Sequence, residues 1–139
     1  MLRRANPPSV APPVGQYSHI TTVPAGSELV FVSGQVGVYA DGRPIDPDAK
    51  EQARQAFANI GAIIAELGLT PAHVAKLNTL IVGADNVDAF RAARDEVFPE
   101  WYPDGAVPAH TLAVVAALAM PELLVEIEAI LAIPGGDGQ

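Results

Sequence analysis

Two short segments of this chain are apolar on both faces, and that limits the fold more than any other feature. Leu29-Val30-Phe31-Val32 is short, β-branched and followed by Ser33-Gly34, the pattern of a buried strand. Leu112 to Leu118 is apolar throughout in the same way. Successive side chains of a strand point to opposite faces, so such segments need cover on both sides. The remaining periodicity supports only two helices, which can cover one face of a sheet. The other face is covered either by copies of the chain, in a homo-oligomer with its sheets turned inward, or by an N-terminal arm folded over it.

The other elements follow from local signals. Residues 1–16, with Pro7, Pro8, Pro12 and Pro13, read as an extended arm. Tyr17–Val23 is expected to form a hairpin with the 29–33 strand through the Pro24-Ala25-Gly26-Ser27 turn, and Val36–Tyr39 to add a short third strand. Asp46-Pro47 reads as a helix start, and Ala53, Phe57, Ile60, Ile64 and Leu67 form its apolar stripe up to a Gly68 cap. Thr70-Pro71 opens a short helical turn, and Lys76–Val82 reads as a strand. Asp85 or Asn86 caps a second helix with Phe90, Ala93 and Val97 on one face, ended by Pro99 and Pro103. Strands over Thr111–Ala117 and Leu123–Ile133 follow, and 134–139 reads as a flexible tail. The result is a single α+β domain over residues 1–139, with two helices on one face of a sheet, in the order β-β-(β)-α-β-α-β-β.

Three segments carry candidate chemistry. In Val125-Glu126-Ile127-Glu128-Ala129 both glutamates point to one face and the aliphatics to the other. The aliphatic face suits the helices, which turns the carboxylates toward the proposed interface. There Glu126 can act on a water as general base or acid; an edge strand with solvated carboxylates has the same pattern. His110, in Pro108-Ala109-His110-Thr111, stands at a strand start, where an interface histidine can bind an anion or move a proton, although a lone histidine is more often packed or solvated. Ser33-Gly34-Gln35 permits close backbone approach by chain or ligand, and Gly15-Gln16-Tyr17-Ser18 offers hydroxyls to a pocket or merely begins a strand. His19 and His73 lack ligand spacing, so no metal is expected.

Charge narrows the partners. The formal net charge is −8, and of the basic residues only Arg3 and Arg4 are adjacent. That field repels a phosphate backbone, so nucleic acid is not an expected partner. The longest apolar run, Leu112 to Met120, is far short of the roughly 20 residues that span a bilayer. No membrane is expected, and the absence of cysteine suits a reducing compartment, so a cytoplasmic location is expected.

In this order, Asn6-Pro7, Gly15-Gln16-Tyr17-Ser18, Val30-Phe31-Val32-Ser33-Gly34-Gln35, Glu51-Gln52-Ala53-Arg54-Gln55 with Asn59, Pro108-Ala109-His110-Thr111 and Val125-Glu126-Ile127-Glu128-Ala129 resemble the RidA/YjgF family of reactive-intermediate deaminases across nearly the whole chain. The resemblance implies a chorismate-mutase-like fold, a homotrimer and small-molecule pockets at the subunit interfaces. It implies hydrolysis of imines or enamines such as 2-aminoacrylate to a keto acid and ammonia, without a cofactor. Glu126 matches the glutamate that positions the hydrolytic water. Tyr17, Ser33 and Gly34 match pocket positions, with His110 and Thr111 in the motif that binds substrate.

One departure stands out. Active deaminases carry arginine in a Pro-Ala-Arg-Ser/Thr motif, where this chain has His110. An arginine fork grips a carboxylate through two parallel hydrogen bonds, which an imidazole cannot reproduce. An asparagine common in the second helix is also missing, with Arg94 near its place. The expectation is therefore a hydrolase whose substrate is not a simple 2-imino acid, with Glu126 acting on water and His110 as proton donor or polar contact. The alternative is a non-catalytic trimer that binds a metabolite or regulates through the same cleft. Ribonuclease activity, a third reading, is disfavoured by the charge.

Overall fold

In the computed structural model, which describes residues 1–136, the aliphatic stripes set the layering. Helix α1 (Ala49–Glu66) and helix α2 (Val87–Trp101) pack side by side on one face of a four-stranded sheet. The sheet is built from β3 (Glu28–Val36), β4 (Val74–Val82), β5 (Ala109–Val115) and β6 (Val125–Ile133), in the order β3-β6-β4-β5. β6 runs antiparallel to both neighbours and β4 runs parallel to β5, with α2 as the crossover between them. This is the expected α+β arrangement of two helices on one face of a sheet.

The core is where the two patterns meet. Ala53, Phe57, Ile60 and Ile64 of α1 lie against Leu77, Ile81, Val125, Ile127 and Leu131, all buried, as the helical and strand periodicities predict. Phe57 stacks on Phe90 of α2 and meets Phe98 and Trp101 edge-on. Burial of each such large side chain contributes roughly 1.5–3 kcal/mol. Gly68 ends α1 in the left-handed region, at φ 71°, with its amide on the Ala65 carbonyl.

Several local expectations are corrected. The 17–23 segment does not pair with the 29–33 strand. Its strand β2 (Ile20–Thr22) pairs with β1 (Arg3–Ala5), so part of the N-terminal arm is a strand, and β3 pairs with the distant β6. The 24–27 turn exists, with Ser27 N on the Pro24 carbonyl, but it joins two different sheets. Residues 36–39 form no third strand, because Val36 is still the last residue of β3 and the chain then turns away. Asp48 caps α1 rather than Asp46: Asp48 Oδ2 accepts from Glu51 N at 3.1 Å, while Asp46 Oδ1 accepts from Asp48 N. α2 passes through Pro99, because Phe98 and Tyr102 are buried edge-to-face and Tyr102 N closes the last turn on the Phe98 carbonyl. β5 and β6 begin at Ala109 and Val125 rather than at 111 and 123. Of the tail expected over 134–139, residues 137–139 lie outside the described residues.

The face opposite the helices is only partly covered. Leu2 of the arm packs with Ala75, Ala132 and Val23 at one end of it. Elsewhere Phe31 is 71 % exposed and Leu29 48 %. The arm therefore covers one corner of the second face.

Candidate functional site

The register separates the two residues of greatest interest. Glu126 is paired with Leu80 and Val36, whereas the buried aliphatics Leu77, Ile81, Val125 and Ile127 alternate with these positions and face the helices. Glu126 and Glu128 thus lie on the open face, where Asn78 Nδ2 donates to Glu128 Oε1 at 3.0 Å. His110 is paired with Leu77 and so points the other way, toward α2. Its ring meets Phe90 edge-on at 6.1 Å, and its Nε2 lies 2.8 Å from the buried Thr79 hydroxyl. Within one chain, the sheet stands between His110 and Glu126.

Ser33 and Gly34 fall with Glu126. β3 carries one extra residue between Val32 and Gln35, a bulge that leaves Ser33 and Gly34 outside the ladder. The Glu126 side chain lies over this bulge: a Cβ on Gly34 would stand 2.5 Å from Glu126 Oε2. Glycine in a strand interior here marks the close approach that Ser33-Gly34-Gln35 suggested.

Tyr17, His110 and Thr111 gather at the other edge of the sheet. They line a cleft of about 540 Å3 together with Val14, Gly15, Phe90, Arg91 and Arg94. The loop carrying Tyr17 is pinned to the start of β5. Ser18 is buried and donates to the Val107 carbonyl at 2.6 Å, its amide bonds the Pro108 carbonyl, and Ala109 N donates to Thr21 Oγ1. Thr111 Oγ1 accepts from Lys76 Nζ at 2.8 Å.

Burial holds the His110 pKa down to about 4, and the positive charges of Arg94 and Lys76 push the same way. His110 is therefore a neutral imidazole at neutral pH, able to donate or accept a hydrogen bond, and a poor source of an ionised acid.

The structure also gives a local reason for residues singled out by pattern. Gln52 is buried and its amide clamps three backbone groups, donating to the carbonyls of Asp46 and Glu122 and accepting from Leu124 N. Asn59 donates to the Val36 and Val38 carbonyls. These side chains hold the turn after β3 and the loop before β6, at the two ends of the strand segments that carry Gly34 and Glu126. Sequence reasoning passed over the direction of Arg94, although the four-residue spacing from Phe90 places both on one side of α2. Among the described residues no cluster of three or more His, Asp or Glu side chains could hold a metal ion, and no helix is long and apolar enough to cross a membrane.

The sequence matches the family described as Endoribonuclease L-PSP over residues 8–133. A RutC family protein of Aquifex aeolicus is 29 % identical over 93 % of this chain and 99 % of its own length. A 2-iminobutanoate/2-iminopropanoate deaminase of Capra hircus is 32 % identical over 94 % of this chain and 90 % of its own. Among solved structures, the Rid-family protein YyfB of Yersinia pestis, of unknown function, superposes with a TM-score of 0.79 at 34 % identity, covering 95 % of this chain and 98 % of its own.

Proposed function

The chain belongs to the RidA/YjgF family, the group described as Endoribonuclease L-PSP, and on that premise we propose that it hydrolyses a small imine or enamine to a carbonyl compound and ammonia in clefts between the subunits of a homotrimer. The observation that carries this reading is the placement of Glu126: a carboxylate laid over a glycine bulge, on a sheet face that farther along also carries the exposed Phe31 and the half-exposed Leu29. An apolar face of this kind is suited to a second copy of the chain. Since His110 and Glu126 lie on opposite faces of one sheet, a site using both draws them from two subunits. One copy supplies Glu126 with Ser33 and Gly34; its neighbour supplies Tyr17, His110 and Thr111 to bind the ligand.

The chemistry needs little more than a placed base. Glu126 takes a proton from water as the water oxygen bonds to the C=N carbon of the protonated imine, and the π electrons pass to nitrogen, leaving a neutral amino group. Glu126 returns its proton to the nitrogen of the carbinolamine. The C–N bond then breaks, ammonia leaves, and the hydroxyl loses its proton to become the carbonyl. The sum is imine plus water to carbonyl plus ammonia, with no redox change and no cofactor required.

The family description names an endoribonuclease. The net charge of −8 weighs against a phosphate-backbone partner. The test is ammonia release from 2-aminoacrylate, which tautomerises to 2-iminopropanoate, generated in situ with pure protein against a buffer blank. Acceleration supports the hydrolase; a rate equal to the blank favours the non-catalytic metabolite-binding trimer.

A further inference from the structure

Arginines are scarce in this acidic chain, yet two of them, Arg91 and Arg94, line the cleft that holds Tyr17 and His110, and no Asp or Glu lines it among the described residues. The two differ in setting. Arg91 is exposed and reaches Asp88 at 3.4 Å. The Arg94 side chain is only 13 % exposed, so its charge is largely withdrawn from water. Asp95 Oδ1 accepts from Arg94 Nε at 3.1 Å and Nη2 at 3.0 Å, which fixes one edge of the guanidinium. Asp95 itself is 58 % exposed, so solvent weakens its hold on that charge. Arg94 Nη1 is directed to the loop carrying Tyr17, 4.0 Å from where a Cβ on Gly15 would stand.

We propose that Arg94 is the anion-binding residue of this cleft, and that the ligand is a small carboxylate, gripped from α2 through Nη1 while His110 and Tyr17 contact its uncharged part. This deepens the proposed function, since it assigns the charge of the ligand to the same cleft. A shielded guanidinium that keeps unused donors favours a carboxylate, because charge-assisted hydrogen bonds strengthen as water is excluded. The neutral state of His110 fits this arrangement, for an imidazolium beside Arg94 would add a second buried cation. On this proposal a simple 2-imino acid stays within the ligand class despite loss of the strand arginine, because the positive charge enters the cleft from the helix instead.

The test uses the full-length protein and two probes, pyruvate and its neutral analogue pyruvamide, with binding followed by ligand-observed NMR. Wild type is expected to bind pyruvate at least roughly tenfold more tightly than pyruvamide, and Arg94→Gln to lose that preference while binding pyruvamide as before. Arg94→Lys, which keeps the charge without the fork, should recover part of it. Arg43→Gln, which changes net charge by the same amount at the exposed Asp41 pair, should leave the preference intact. Unchanged pyruvate binding in Arg94→Gln, equal loss of both probes, or no pyruvate binding by wild type would each overturn the proposal. The two readings fail separately. Arg94-dependent pyruvate binding without imine turnover leaves this inference standing and removes the hydrolase; turnover that ignores Arg94→Gln does the reverse.

Discussion

The carboxylate of Glu126 lies where a side chain at Gly34 would have to be: a Cβ there would come within 2.5 Å of Oε2 and 2.6 Å of the carboxyl carbon. Glycine at 34 therefore sets the position of the base proposed to act on water. Gly34→Ala is expected to push the carboxyl aside rather than unfold the protein, since the clash is with the end of a flexible side chain. Turnover should fall roughly 10–100-fold with the melting temperature nearly unchanged, because small misplacements of a catalytic group have effects of that size. Steady-state kinetics beside thermal denaturation check this; a normal rate would show that Glu126 need not lie over the bulge.

The open face supplies a second prediction. Phe31 is 71 % exposed on a face that also carries Leu29 and Glu126. Phe31→Asp should convert the proposed homotrimer to a folded monomer by light scattering, with circular dichroism preserved and turnover lost. A variant that remains the same size as wild type would place the interface elsewhere.

His110 gives a third, through pH. Its ordinary pKa is 6.5 and burial lowers it to about 4, so between these values the unfolded chain binds a proton that the folded chain does not. The sign follows: this residue's contribution is constant above about pH 6.5 and turns destabilising as pH falls toward 4. His110→Gln should remove that part of the slope, at most about 1.4 kcal/mol per pH unit. Urea denaturation of both proteins at pH 5 and 7.5 measures it, and parallel slopes would contradict the burial of the ring.

The buried amide of Gln52 supports a fourth. Gln52→Ala would leave the Asp46 and Glu122 carbonyls and the Leu124 amide without their partner. Loss of roughly 2–4 kcal/mol of stability is expected, as buried polar groups become unsatisfied. Chemical denaturation checks it; a loss below about 1 kcal/mol would mean that water replaces the clamp.

What could be read from the sequence was what neighbouring residues decide. The α1 stripe, the Gly68 cap and the alternation from Val125 to Ala129 depend on spacings of two to four residues, and each appears in the structure as expected except at Leu67, which the stripe included but which is 45 % exposed at the C-cap of α1. Strand partners are chosen between segments far apart in the chain, so the pairing of β2 with β1 and of β3 with β6 left no local mark. Choosing between Asp46 and Asp48 as the cap turns on one hydrogen bond, since both precede the same apolar stripe. The orientation of His110 followed from a strand start two residues earlier than expected and from the parallel register of β5 on β4, which period-two reasoning inside one strand cannot supply. Arg94 was visible as a residue, but its direction depends on the rotation of α2 around Phe90.

The deciding measurement is the initial rate of ammonia release from 2-aminoacrylate generated in situ, for wild type and Glu126→Gln at equal protein concentration. Wild type should exceed the buffer blank clearly and Glu126→Gln should fall toward it, by a factor of roughly 100 or more, with pyruvate affinity retained. A Glu126→Gln rate equal to that of wild type, or a wild-type rate equal to the blank, would contradict the account.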